Sequence, residues 1–177
     1  MRFRAMIGAF ALVGAALMSV GFGAASAGAG TVTCTWGGTP VDPTGLITLS
    51  PGVTNTPSVG PIEFTATGDL AGGAGCTGKL TFTGYIDPGT TCAVVAPFHA
   101  KATGLPPVKQ AEAQAGVAGS QPVLLYDAHG DVVGSEQAQF LTSAADESDP
   151  AYMDCGTPEG LTSAHWSDTL ELFTARG

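Results

Sequence analysis

The chain has 177 residues, with 15 acidic side chains against six basic ones and a formal charge of −9. That balance argues against nucleic acid or anionic membrane surfaces as partners, since both select cationic patches. Twenty-six glycines, 12 prolines and only 13 aromatic residues argue against a helical protein with a large aromatic core.

Residues 1–27 open with Arg2 and Arg4, continue through an apolar run from Ala5 to Gly23 and end on the small residues Ala25-Ser26-Ala27. This is the form of a secretory signal peptide. The glycines and alanines of the run, and the cleavage site after it, weigh against a membrane anchor. The expected product is a secreted, extracellular domain, residues 28–177, with no membrane insertion and enough chain for one core. Its four cations, Lys79, Lys101, Lys109 and Arg176, leave a net charge of −11, and 11 of the acids fall in 112–177.

Thr31–Trp36 is a β-branched run closed by Gly37-Gly38, the first expected strand. Leu46–Leu49 is the second, with Pro51-Gly52 expected to end it, and 54–61 is expected to be an exposed loop. Ile62–Thr67 alternates apolar and polar residues, the two-residue period of a half-buried strand. After a glycine-rich link, Leu80 and Phe82 alternate with Lys79, Thr81 and Thr83, and Asp87-Pro88-Gly89 supplies turn chemistry. The two runs are expected to pair as an antiparallel hairpin. Gly73-Ala-Gly-Cys-Thr-Gly78 has GxGxxG spacing but leads into a strand, so it is not read as a phosphate loop.

Ala93–Phe98 is β-leaning, and 110–119 alternates strictly enough to be read as strand despite its helix-favouring alanine and glutamine. Val123–Tyr126 and Val132-Val133 flank Asp127-Ala-His-Gly-Asp131 as a second hairpin. Residues 144–160 are acidic and patternless, a candidate functional loop. Trp166–Phe173 is the closing strand. Short strands between glycine and proline turns predict an all-β fold, an antiparallel β-sandwich of eight to ten strands, with a β-barrel as the alternative.

Cys34, Cys76, Cys92 and Cys155 are even in number, and none form a CxxC pair, which in an exported chain reads as two structural disulfides. Three connectivities are open, of which Cys34–Cys76 with Cys92–Cys155, one bridge per half, is the preferred one. Thr33-Cys34-Thr35, Leu49-Ser-Pro-Gly-Val-Thr54, Phe64-Thr-Ala-Thr-Gly68 and Cys76-Thr-Gly78 resemble the uncharacterised secreted β-proteins of actinobacteria. That resemblance implies an immunoglobulin-like architecture only by fold analogy, and no activity.

No catalytic residues are singled out. His99, His129 and His165 are scattered, with no HExxH, and GxSxG is absent. Asp146, Glu147, Asp149 and Asp154 are the calcium candidates, as a loose extracellular oxygen site would need clustered carboxylates. Trp36, Tyr85, Tyr126, Tyr152 and Trp166 are either packing residues or stacking faces for a sugar. The expected function is a non-catalytic surface-interaction or binding module of the envelope or extracellular space, with a carbohydrate or cationic partner. An extracellular glycoside or ester hydrolase, its site assembled from scattered residues, is the alternative.

Overall fold

The computed structural model describes residues 30–119, 121–138 and 153–174. The expected signal peptide, 1–27, and the calcium candidates Asp146, Glu147 and Asp149 lie outside them, as do Tyr152 and most of the 144–160 loop.

Alternating burial builds the strands in chain order: β1 (Gly30–Trp36), β2 (Gly38–Thr39), β3 (Asp42–Pro43), β4 (Gly45–Val53), β5 (Ile62–Gly72), β6 (Lys79–Ile86) and β7 (Val94–Val95). The remainder are β8 (Phe98–Thr103), β9 (Gln110–Ala113), β10 (Gly116–Val117), β11 (Gln121–Tyr126), β12 (Val132–Ala138), β13 (Leu161–Trp166) and β14 (Asp168–Thr174). Both expected hairpins form. β5 pairs with β6 from Ile62↔Ile86 to Asp69↔Lys79, and β11 pairs with β12 across the Asp127 turn. In that turn Asp127 Oδ1 accepts the backbone N–H groups of His129 at 2.7 Å and Asp131 at 3.0 Å. Those donors, Asp131 foremost, hold its carboxylate below the ordinary 3.8.

The antiparallel all-β fold takes the barrel form, not the sandwich. Eight strands, in the order β1-β14-β12-β11-β9-β8-β6-β5, close on themselves. β1 makes the closure. It pairs with β14 along its whole length and with β5 through Cys34↔Gly72, Thr35↔Ala71 and Trp36↔Leu70, so eight strands form one continuous ring and not two stacked sheets. β4 and β13 extend the wall from the first half of β5.

Two sequence expectations are corrected. Pro51-Gly52 does not end the second strand: pairing with β5 stops at Ser50↔Glu63, but β4 runs on against β13 to Val53↔Leu161. The closing strand is two strands, because the chain turns at Ser167 so that β13 bonds β4 while β14 bonds β1 and β12.

The core is the barrel lumen. One inward row runs Cys34, Leu170, Glu136, Val123, Ala113, Phe98, Ile86 and Ile62 through successive strand partners, all buried. The preferred disulfides are the ones formed. Cys34–Cys76 ties β1 to the β5–β6 link, and Cys92–Cys155 ties the β6–β7 turn to the segment before β13.

Candidate functional site

On the outside of the barrel, strand register assembles a row that no local motif announces. Ser50 lies opposite Glu63, Glu63 opposite Tyr85, Tyr85 opposite His99, and His99 opposite Glu112. At the usual spacing between strands this row of five side chains, on five adjacent strands, is about 19 Å long. Outward alternation places them: each is exposed or half-buried, while its sequence neighbours Phe64, Ile86, Phe98, Ala100, Ala111 and Ala113 face the lumen.

Tyr85 is the exposed aromatic of the row, with 46% of its surface open. Its ring lies 5.5 Å from the His99 imidazole at an interplanar angle of 37°, and His99 Nδ1 is 3.5 Å from Glu112 Oε1. With both of those groups about half exposed, the contact positions the imidazole more than it stabilises the fold. Beside the tyrosine a groove of about 480 Å³ runs over β4, β5 and β6, lined by Thr48, Ser50, Glu63, Thr65, Thr83 and Tyr85. Gly84 sets the pitch of this surface. A Cβ there would collide with the His99 carbonyl, so β6 and β8 lie closer than a side chain allows. The groove therefore offers one amphipathic ring, one free carboxylate and several hydroxyls.

The other sequence candidates are placed differently. Trp36 and Trp166 are core residues, 3.9 Å apart between ring centroids, and offer no surface face. Tyr126 is half-buried at the end of β11. His129 sits in the Asp127 turn, and His165 lies on β13 with Nδ1 3.2 Å from the Gly45 carbonyl oxygen. The three histidines are thus on separate elements. Asp154 is exposed, and its backbone carbonyl accepts both the N–H and the hydroxyl of Thr157. No group of three or more His, Cys, Asp or Glu side chains suited to a metal occurs among the described residues.

The sequence did not single out the polar groups inside the lumen. Glu136 stands in the apolar row opposite Leu170, and Asp168 lies two residues from Leu170 on the same buried face of β14. Burial, and then the Asp168 charge, push the Glu136 carboxyl well above the ordinary carboxylate range. Gln121, wholly buried, donates through Nε2 to the carbonyls of Val95 at 3.2 Å and Gln114 at 2.9 Å, pinning the β7–β10 pair to the barrel. None of these three residues lines the outer groove.

Compared with known proteins, the chain matches no family model, no curated protein and no solved structure.

Proposed function

We propose that the protein is a secreted, non-catalytic binding module of the actinobacterial envelope or extracellular space, and that its partner is a carbohydrate held on the outer row. The observation that carries this reading is the exposed Tyr85 ring set between Glu63 and the His99–Glu112 pair, over a groove walled by threonine and serine hydroxyls. An aromatic face covers the C–H side of a sugar ring, while carboxylates and hydroxyls satisfy its equatorial hydroxyls, and a rigid barrel wall presents both without reorganisation. Two disulfides are compatible with an extracellular setting.

Affinity electrophoresis through gels carrying neutral or charged polysaccharides tests the reading. Retardation by at least one of them is expected, with the apparent affinity falling about tenfold or more in Tyr85→Ala, the scale of losing a central aromatic contact. Migration unchanged by every polysaccharide, or retardation that survives Tyr85→Ala, overturns it.

The hydrolase alternative has one observation in its favour. Glu136 and Asp168 are neighbouring carboxyls, and burial together with the Asp168 charge raises the Glu136 carboxyl well above the ordinary range, the direction in which acid-base glycoside cleavage shifts its acid. Their position in the barrel wall, away from the groove, favours the binding reading. Turnover of a glycoside or ester by the purified protein, abolished in Glu136→Gln, would reverse that preference.

A further inference from the structure

The loop between β4 and β5, residues 54–61, has no residue in the lining of the outer groove, and its tip is built for a different contact. Val59 stands there fully exposed. Exposure alone assigns nothing, because single exposed apolar residues are ordinary and Val41, between β2 and β3, is nearly as open. What sets Val59 apart is how the chain on both sides of it is held.

On the amino-terminal side Ser58 is fastened to the turn after β6. Its N–H donates to the Thr90 carbonyl at 2.9 Å, and its carbonyl accepts the Gly89 N–H at 2.8 Å. Its Oγ accepts from the N–H groups of Gly89 at 3.1 Å and Thr90 at 3.2 Å. On the carboxy-terminal side Ile62, fully buried, opens β5 by pairing with Ile86. Both ends of the tip are thus tied to one short stretch of chain, residues 86–90, with Val59, Gly60 and Pro61 between them. Behind Ser58 the Thr54 carbonyl accepts the Cys92 N–H at 3.0 Å, and the Asn55 N–H reaches the Cys155 carbonyl at 3.1 Å, so the Cys92–Cys155 bridge braces the base of the loop. Val59 itself is left over: among the described residues none bonds its N–H or its carbonyl. The tip presents an apolar side chain and a free peptide edge on a loop fixed at both ends.

We propose that this loop binds and inhibits a serine endopeptidase, with Val59 entering the pocket that reads the residue before the cleaved bond. A small, branched, apolar side chain selects the small pocket of an elastase over the acidic pocket that reads Arg and Lys. A loop already fixed in shape is bound without the ordering cost of a flexible peptide, which is how protease–inhibitor interfaces of ordinary size become very tight. Attack by the enzyme's serine on the Val59 carbonyl forms an acyl ester, breaks the Val59–Gly60 bond and passes a proton to the Gly60 amine. With Ser58 and Ile62 still fastened to 86–90, that amine stays beside the ester, attacks it and re-forms the peptide bond as the proton returns. An unconstrained peptide has no such tether and is cleaved.

Inhibition assays with an elastase and with trypsin test the proposal. In molar excess the wild-type protein is expected to lower elastase activity about tenfold or more and to leave trypsin within about twofold. Val59→Arg is expected to exchange the two targets, because a long cation fits the acidic pocket and not the small apolar one. Val41→Arg, at the other open valine, is expected to leave the wild-type pattern unchanged. Both substitutions are at exposed positions and leave the core intact. Ser58→Ala keeps Val59 but removes the Oγ bonds to Gly89 and Thr90, and should weaken inhibition while speeding cleavage between residues 59 and 60, read by mass spectrometry. Elastase left active by the wild-type protein overturns the choice of pocket, and trypsin left active by Val59→Arg as well overturns the loop itself. Elastase inhibition that survives Val59→Arg places the contact elsewhere and overturns it too, as does cleavage after Val59 at the rate of an unconstrained peptide. The polysaccharide reading of the outer row stands or falls independently.

Discussion

The two tryptophans touch, yet the lumen on either side of them is finished differently. On one side Trp36 lies edge-on to Phe82 at 4.9 Å, its N–H is shared between two strand carbonyls, and Cys34–Cys76 closes the wall beside it. On the other, Trp166 lines a cavity, its N–H has no acceptor among the described residues, and it sits beneath loops joined by Cys92–Cys155. The loops on that side are bound by backbone: Ser58 bonds Gly89 and Thr90, Asn55 N–H reaches the Cys155 carbonyl, and Cys92 N–H reaches Thr54. One half of the interior is packed for stability. The other keeps an apolar cavity of about 60 Å³ beneath its bridged loops, a departure from the close packing of most interiors.

The largest effects should come from the disulfides, and they test whether the two sides are independently braced. Loops spanning 42 and 63 residues predict about 4 kcal/mol of unfolded-chain constraint from each bridge. Replacing either pair by serine should lower the denaturant midpoint by similar amounts. Hydrogen exchange should separate them: loss of Cys92–Cys155 is expected to expose the amides of Asn55 and Cys92, and loss of Cys34–Cys76 to leave them protected.

Glu136 gives a pH signature to the wall that both sides share. Its carboxyl is raised above 4.5 in the fold by burial and by Asp168. Below 4.5 folded and unfolded chains are both protonated and the full stability is present. As pH rises the unfolded chain releases the proton first, so stability is lost from there up through the raised folded value. Glu136→Gln should therefore melt like wild type at about pH 4 and several degrees higher at about pH 8, as differential scanning calorimetry would record. An equal change at both values would mean that the side chain acts through packing, not charge.

The tryptophans themselves come next. Either Trp→Phe change shrinks a buried ring by a similar amount, so the difference between them isolates the hydrogen bonds. Trp36→Phe loses the bond that its indole N–H shares between the Gly68 and Leu80 carbonyls and should cost about 0.5–1.5 kcal/mol more than Trp166→Phe, which loses no such bond. Equal losses in urea unfolding would show that the Trp166 N–H has a partner in solution.

Much of this contrast was hidden from the sequence, for reasons that particular residues explain. Alternation made β5, β6 and the β11–β12 hairpin legible, and the even cysteine count without a CxxC pair made two bridges legible, but not which of three connectivities they take. Closure was not, because it rests on three β1–β5 pairs between segments over 30 residues apart, which no local pattern encodes. In β12 the pattern misleads. Its lumen positions are Gly134 and Glu136, while Val133 is only partly buried, so period-2 reading points the wrong face inward. Ser167 carries no turn signal, yet the break there hands Trp166 to one strand pair and Asp168 to another. The outer row was invisible for a related reason. Glu63, Tyr85, His99 and Glu112 become neighbours only through the register of four strands.

The smallest expected effect is the most telling, because it should change sign across the tryptophan pair. Ala102 and Ala164 are both buried small residues on inward strand positions, Ala102 opposite Phe82 in the packed half and Ala164 on the cavity wall opposite Ile47. Adding two methyls to a full core forces rotamers and backbone to shift, so Ala102→Val should destabilise by about 1–3 kcal/mol. At Ala164 the same methyls enter existing space. With roughly 24 cal/mol recovered per Å³ of void removed, filling most of about 60 Å³ yields up to about 1 kcal/mol, and Ala164→Val should raise the denaturant midpoint slightly. A destabilised Ala164→Val protein would mean that this space is already filled in the resting protein.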